Sequence, residues 1–203
     1  MDALIKNVIT RLTQESQKEK MREVDVAPED RMLAITQDTG EFFNIILKAI
    51  NAKNILEVGL STGYSTLWFC DAVKNNSGRI TTIEKNQNKI LRAKKNFQDA
   101  SVDNIIDIKH GIALDILKEI ESTNQQFDFI FLDADKENTM QYFEMALRMT
   151  RVGGIIAIDN MTYPEKYRIE MNRISQKIKE TPNVQSSTVK IGNGEEIILK
   201  LSD

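Results

Sequence analysis

Three groups of residues in this chain have the types and spacing to do chemistry: Asp133-Ala-Asp-Lys136, Asp159-Asn160, and Glu57-Val-Gly59-Leu-Ser-Thr-Gly63. Each closes an apolar run: Phe127-Asp-Phe-Ile-Phe-Leu132, Ile155-Ile-Ala-Ile158, and Ile55, Leu56 and Val58 around Glu57. Such runs read as buried parallel strands. In an open parallel sheet the carboxyl ends of neighbouring strands share one crevice, so Asp133, Asp159 and Asn160 can converge there. Two carboxylates and an amide oxygen suit a hard divalent cation, Mg²⁺ first, with Mn²⁺ and Ca²⁺ as alternatives. No cysteine or histidine accompanies them, which disfavours zinc. Taken singly, each acid reads equally well as the cap of a following helix.

The third group is a strand breaking into a glycine turn and then a helix from Tyr64. Gly59 and Gly63 free the backbone, and the helix start points unpaired amides at whatever sits on Gly59, Ser61 and Gly63. A dinucleotide fingerprint needs a third glycine, which is missing, so a pyrophosphate is poorly served. Glu57 would repel a phosphate and attract an amino or sulfonium cation. S-adenosylmethionine carries both of those charges. Glu84, about twenty residues beyond the turn at the end of Arg79-Ile-Thr-Thr-Ile-Glu84, is placed to accept from both hydroxyls of a ribose. Its plainer reading is an acid offsetting the dipole of the helix from about Asn86 to Ala100. Gly111 permits close approach of the chain, and an adenine can lie against Ile112 and Ala113.

At 203 residues, with 41% hydrophobic content, the chain suits one domain with a sizeable core. A net charge of −3 gives no broad basic field for nucleic acid. Cys70 is the single cysteine and the N-terminal residues lack a continuous apolar stretch, so a cytoplasmic protein with no membrane contact is expected. His110, the one histidine, receives no role.

The elements that must position these groups can be read in order. Leu4, Ile5, Val8, Ile9 and Leu12 form the stripe of an amphipathic helix over residues 1–20. A second copy of the chain is one candidate to cover it. Residues 21–36 read as a surface linker, so residues 1–36 are expected to serve as a lid or a dimer contact. Asp38 is a candidate cap for a helix through Ile50. Gly153-Gly154 is expected to turn the chain into the strand at Ile155, and a helix is expected from Glu165 to Lys179. Gly192-Asn-Gly194 signals a terminal hairpin between Val184–Ile191 and Glu196–Leu201. Alternating strand and helix units with that hairpin predict an α/β, Rossmann-like fold. Its sheet is seven-stranded and mostly parallel, ends in a C-terminal antiparallel hairpin, and carries helices on both faces.

Together, Leu56-Glu-Val-Gly-Leu-Ser-Thr-Gly-Tyr-Ser65, Phe127–Lys136, Val152-Gly-Gly-Ile-Ile-Ala-Ile-Asp-Asn160 and the hairpin resemble the cation-dependent O-methyltransferases, the caffeoyl-CoA and catechol O-methyltransferases among them. The resemblance covers residues 30–201. It implies a methyltransferase fold, S-adenosylmethionine as donor, a divalent metal on Asp133, Asp159 and Asn160, and a homodimer. It further implies cofactor contacts at Glu57, Gly59, Ser65, Glu84, Ala113 and Asp133, and Lys136 as the base. The expected reaction is in-line attack of an acceptor hydroxyl on the donor methyl, and Lys136, one helical turn from Asp133, is placed to take the proton. The segment after Asp159-Asn160 is shorter than in the plant enzymes, and Asn193 stands where aspartate is common. A catechol-like small molecule is the leading acceptor. A hydroxylated tRNA base beside Lys136, Lys166 and Arg168, or a nucleoside-binding module without catalysis, are the alternatives.

Overall fold

The computed structural model describes residues 1–203. In chain order the elements are α1 (Ala3–Lys20), α2 (Gln37–Ala49), β1 (Asn54–Val58), α3 (Tyr64–Val73), β2 (Arg79–Glu84), α4 (Gln87–Asp99) and β3 (Ile106–His110). They continue with α5 (Ala113–Ser122), β4 (Phe127–Leu132), α6 (Thr139–Met149), β5 (Thr150–Ile158), α7 (Arg168–Glu180), β6 (Val184–Val189) and β7 (Glu195–Lys200). The strands form one sheet in the order β3-β2-β1-β4-β5-β7-β6. β7 runs antiparallel to both β5 and β6, so six of the seven strands point one way. This is the α/β, Rossmann-like architecture expected, terminal hairpin included. The strand order reverses between β1 and β4, and the candidate residues lie at or just beyond the carboxyl ends of the strands around that switch point.

The sheet is covered on both sides because its central strands are apolar on both faces. On one face Ile55, Phe129, Phe131 and Ala157 meet the first four helices. On the other Leu56, Ile130, Leu132 and Ile156 meet α5, α6 and α7. The first face is built around aromatic rings. Phe43 of α2 and Phe69 of α3 each lie within 5.3–5.6 Å, centroid to centroid, of Phe129 and Phe131 on β4.

Several local readings are corrected. Ile5, Val8, Ile9 and Leu12 of α1 are buried in the chain's own core, leaving only Leu4 of that stripe exposed. No second copy is needed to cover it. Thr36, not Asp38, caps α2, its hydroxyl accepting from the Thr39 N–H, while Asp38 sits inside the first turn. Gly153-Gly154 does not precede β5 but lies within it, where the β4–β5 register shifts between Phe127 and Phe129. A bulge uses glycine in the same way a turn does, so composition alone could not separate them. Helix α7 starts at Arg168, preceded by a short 3₁₀ turn over Glu165–Tyr167. Residues 21–36 do cross the surface, and Met32 and Ile35 anchor them in the core. No helix is long and apolar enough to cross a membrane.

Truncating the aromatic hub is the severest test of this packing. Phe129→Ala should lower unfolding free energy by about 3–5 kcal/mol, the range for deleting a fully buried ring, measured by urea titration.

Candidate active site

The glycine turn is made by sterics. Gly59 has φ +106° at the end of β1, and a Cβ there would stand 2.0 Å from the Asp133 carbonyl oxygen. Only glycine lets the ends of β1 and β4 approach so closely. Asp133 N–H donates to the Val58 carbonyl at 2.9 Å, closing the same contact from the other side. Gly63, φ +85°, then starts α3, and a Cβ on it would overlap the Phe97 ring. Ser61 between them also takes a positive φ, and its N–H donates to Glu84 at 2.9 Å. Glu84 further accepts from the N–H groups of Lys85 and Asn86, both at 2.9 Å. Its carboxylate is therefore held at the crevice by three amides, and Asn86 rather than Glu84 caps α4. The Gly111 N–H donates to the Glu84 carbonyl at 3.0 Å, which brings exposed Ile112 and half-buried Ala113 beside it.

Glu57 behaves differently from the expectation of a charge facing a ligand. It is fully buried behind the turn and accepts from the hydroxyls of Ser65 at 2.5 Å, Thr66 at 2.6 Å and Thr82 at 2.6 Å. Burial nevertheless pushes its carboxyl up to about 7, against an ordinary 4.5. In this geometry Glu57 orders Ser65 and Thr66 on the first turn of α3. Any cation it senses lies beyond those hydroxyls.

The strand ends of β4 and β5 carry the second half of the site. Lys136, 8% exposed, has its Nζ 3.7 Å from Asp133 Oδ1 and donates to the Asp159 carbonyl at 3.2 Å. Asp135, the alternative partner for this lysine, is instead occupied by the Tyr142 hydroxyl and the Asn138 amide. Asp159 is 2% exposed and its Oδ1 accepts from the Asn160 N–H, Asn160 taking φ +66° to permit it. Burial raises the Asp133 carboxyl, an effect Lys136 opposes. Burial and then the charge of Asp133 raise that of Asp159. Asp133, Lys136 and Asp159 thus stand together beside the glycine turn, with Asn160 next along the chain from Asp159.

Two further features bear on the site, the first of them not read from the sequence. Glu195, fully buried on β7, lies against Asp159 and accepts from the Thr39 hydroxyl at 3.2 Å. Burial and then Asp159 drive its carboxyl strongly upward. The β5–β7 register, which pairs Ile158 with Glu196, puts Glu195 next to Asp159. The second feature is a strap over the turn: Leu33 N–H donates to Ser61 Oγ at 3.1 Å, and Met32 N–H to Glu19 at 2.6 Å. Glu19 also pairs with Arg92 of α4 at 2.6 Å. Contacts made only in three dimensions left no local signal of that clasp.

A glycine turn at the switch point, an acid at the end of the next strand, and a buried acid–lysine cluster beside them define an enzyme that works on a nucleoside-bearing cofactor. The chain belongs to the O-methyltransferase family, whose model it matches over residues 10–201. It is similar to caffeoyl-CoA O-methyltransferase 1 of Arabidopsis thaliana, 30% identical over 206 residues that span 93% of this chain and 79% of the relative. It is also similar to catechol O-methyltransferase of Niastella koreensis, 38% identical over 130 residues, 64% of this chain and 58% of that one. The O-methyltransferase from Bacillus cereus, solved in complex with SAH, superposes with a TM-score of 0.77 at 28% identity, covering 98% of this chain and 91% of the other. The protein is an S-adenosylmethionine-dependent O-methyltransferase.

The raised carboxyl of Glu57 has a consequence for stability. A folded-state value of about 7 against 4.5 means that the folded chain holds this proton more tightly. Its contribution is complete below about 4.5 and is lost as pH rises through about 7. Glu57→Gln cannot titrate, so its urea midpoint should fall less than that of the wild type between those pH values. Parallel profiles would refute the assignment.

Proposed function

We propose that this O-methyltransferase is divalent-metal-dependent and methylates a hydroxyl of a catechol-like, vicinal-oxygen small molecule. Asp133, Asp159 and Asn160 hold the ion, Mg²⁺ by preference, and Lys136 is the general base. The donor rests on Gly59, Ser61 and Gly63, with Ser65, Glu84, Ala113 and Asp133 in contact and Glu57 behind them. The observation that carries the reading is Lys136, nearly buried between Asp133 and Asp159 at the mouth of the glycine turn.

The donor set fits a hard cation. No three side chains among His, Cys, Asp and Glu form a ready-made cluster; in this reading the third oxygen is that of the Asn160 amide, next in the chain to Asp159. Asp133 and Asp159 are both pushed toward the neutral form, Asp159 partly by the charge of Asp133, and a cation between them relieves that repulsion. Bound there, the ion supplies Lewis-acid polarisation of an acceptor oxygen, whose free phenol, with a pKa of about 10, would otherwise stay protonated. S-adenosylmethionine, when bound, supplies a methyl group on positive sulfur, which leaves as a neutral thioether.

The chain's own residues then have distinct tasks. Lys136 Nζ, as the neutral amine, would receive the proton of the acceptor hydroxyl as the oxygen–methyl bond forms and the methyl–sulfur bond breaks. The Asp159 carbonyl fixes the direction of that amine. The Gly59–Asp133 contact sets how far the donor turn stands from the acceptor side, and alignment of the two reactants accounts for much of such a reaction's acceleration.

With labelled S-adenosylmethionine and a catechol, methyl transfer should vanish in EDTA and return with Mg²⁺ or Mn²⁺. Lys136→Met should lower kcat on the order of 100-fold, within the range for a general base, while leaving S-adenosylhomocysteine affinity unchanged. Full activity in EDTA would remove the metal, and near-normal turnover of Lys136→Met would remove the base.

A further inference from the structure

Thr62 lies inside the glycine turn, and the bond that satisfies its carbonyl leads away from the sheet. The residue is fully buried, belongs to no helix or strand, and no backbone N–H reaches its carbonyl. That oxygen accepts instead from the side-chain amide of Asn96 on α4, at 2.9 Å. Asn96 is itself 4% exposed. Its amide oxygen accepts from the Arg11 guanidinium of α1 at 3.0 Å, and Arg11 also pairs with Asp99 at 2.8 Å. A guanidinium only donates and a carbonyl only accepts, so one orientation of the Asn96 amide satisfies both, nitrogen toward Thr62. The peptide joining Thr62 to Gly63 is planar, and its other edge is held too, the Gly63 N–H donating to the Leu60 carbonyl at 2.9 Å. Phe97, the next residue on α4, fills the space over Gly63, its ring 2.5 Å from where a Cβ would stand. Helix α4 therefore holds this peptide by a hydrogen bond and by packing, and α1 orients the bond.

We propose that Asn96 is a positioning residue for S-adenosylmethionine: with Arg11 fixing its amide, it holds the Thr62–Gly63 peptide in the orientation that gives the turn its cofactor-binding shape. A buried carbonyl left without a donor costs more than the bond itself contributes. Without the amide, that peptide turns toward another donor and the turn loses its shape. Helix α1, which supplies no residue to the site, thereby acts on cofactor affinity through Arg11. The inference rests on the reading above that the donor lies on Gly59, Ser61 and Gly63.

Titration calorimetry with S-adenosylhomocysteine tests it on the full-length chain, comparing wild type, Asn96→Asp, Asn96→Leu, Arg11→Met and Ser61→Trp. Aspartate keeps the shape and an acceptor for Arg11 but sets a carboxylate against the Thr62 carbonyl, and leucine keeps neither bond. Both Asn96 variants should bind about 10-fold more weakly or worse, the order expected when a buried carbonyl loses its donor. Arg11→Met frees the amide to turn over and should weaken binding about threefold, less than one full hydrogen bond. In methyl-transfer assays of Asn96→Asp, KM for S-adenosylmethionine should rise in step while kcat at saturating donor stays within about twofold, the mark of lost binding rather than lost chemistry. Wild-type affinity in Asn96→Asp beside weak binding in Asn96→Leu would reduce Asn96 to a partner for Arg11 and overturn the proposal. A fall in kcat with KM unchanged would overturn it as well. Should neither Asn96 variant fold, Arg11→Met decides: weaker binding upholds the proposal and wild-type affinity overturns it. Unchanged affinity in Ser61→Trp would overturn this proposal and the turn reading together. Binding lost in Ser61→Trp but intact in both Asn96 variants would overturn this one alone.

Discussion

The structure depends on one close approach, that of Gly59 to the main chain of Asp133. Two strands from distant parts of the polymer end within contact of each other because one residue has no side chain and can take a left-handed dihedral. From that junction the cofactor turn leads one way and the acid–lysine cluster the other. Neither half would have a fixed distance to its counterpart if the junction were looser. The aromatic hub, Phe43 and Phe69 against Phe129 and Phe131, packs α2 and α3 onto the same strand that carries Asp133 at its end.

Electrostatics follow from the same crowding. Four carboxyl groups, Glu57, Asp133, Asp159 and Glu195, are buried or nearly so within one end of the sheet, and burial raises all four. They are managed in different ways. Glu57 is solvated internally by three hydroxyls. Asp133 has Lys136. Asp159 accepts from the Asn160 N–H, and Glu195 from the Thr39 hydroxyl. A region that concentrates ionisable groups against their solvation preference is where function is to be sought, since a purely structural core would fill the same volume with hydrocarbon.

How much of this was legible in the sequence depended on whether the signal was local. The strand–turn–helix at Gly59, the acid-ended strands at Leu132 and Ile158, and the Gly192-Asn-Gly194 hairpin are contiguous patterns, and each corresponds to an observed element. The hydroxyl cage of Glu57 left no local signal, because Thr66 and Thr82 come from α3 and β2 and close over it only on folding. Gly153-Gly154 was read as a turn because a bulge and a turn ask the same freedom of the backbone. Asp38 carried the residue type of a helix cap two residues too late, and Thr36 held the position. Glu195 left only an indirect trace, an acid in an alternating strand where an apolar residue would be ordinary.

The strand order also leaves β3 and β6 outermost, each with one row of unpaired backbone groups. Such borders invite another molecule's strand to add on, and proteins that remain separate blunt them. Here β3 shows solvent an Asp107–Lys109 ion pair at 2.9 Å, and β6 shows Gln185 and Ser187. Both margins are thus dressed with charge and amide rather than hydrocarbon, which discourages growth of the sheet from one copy into the next.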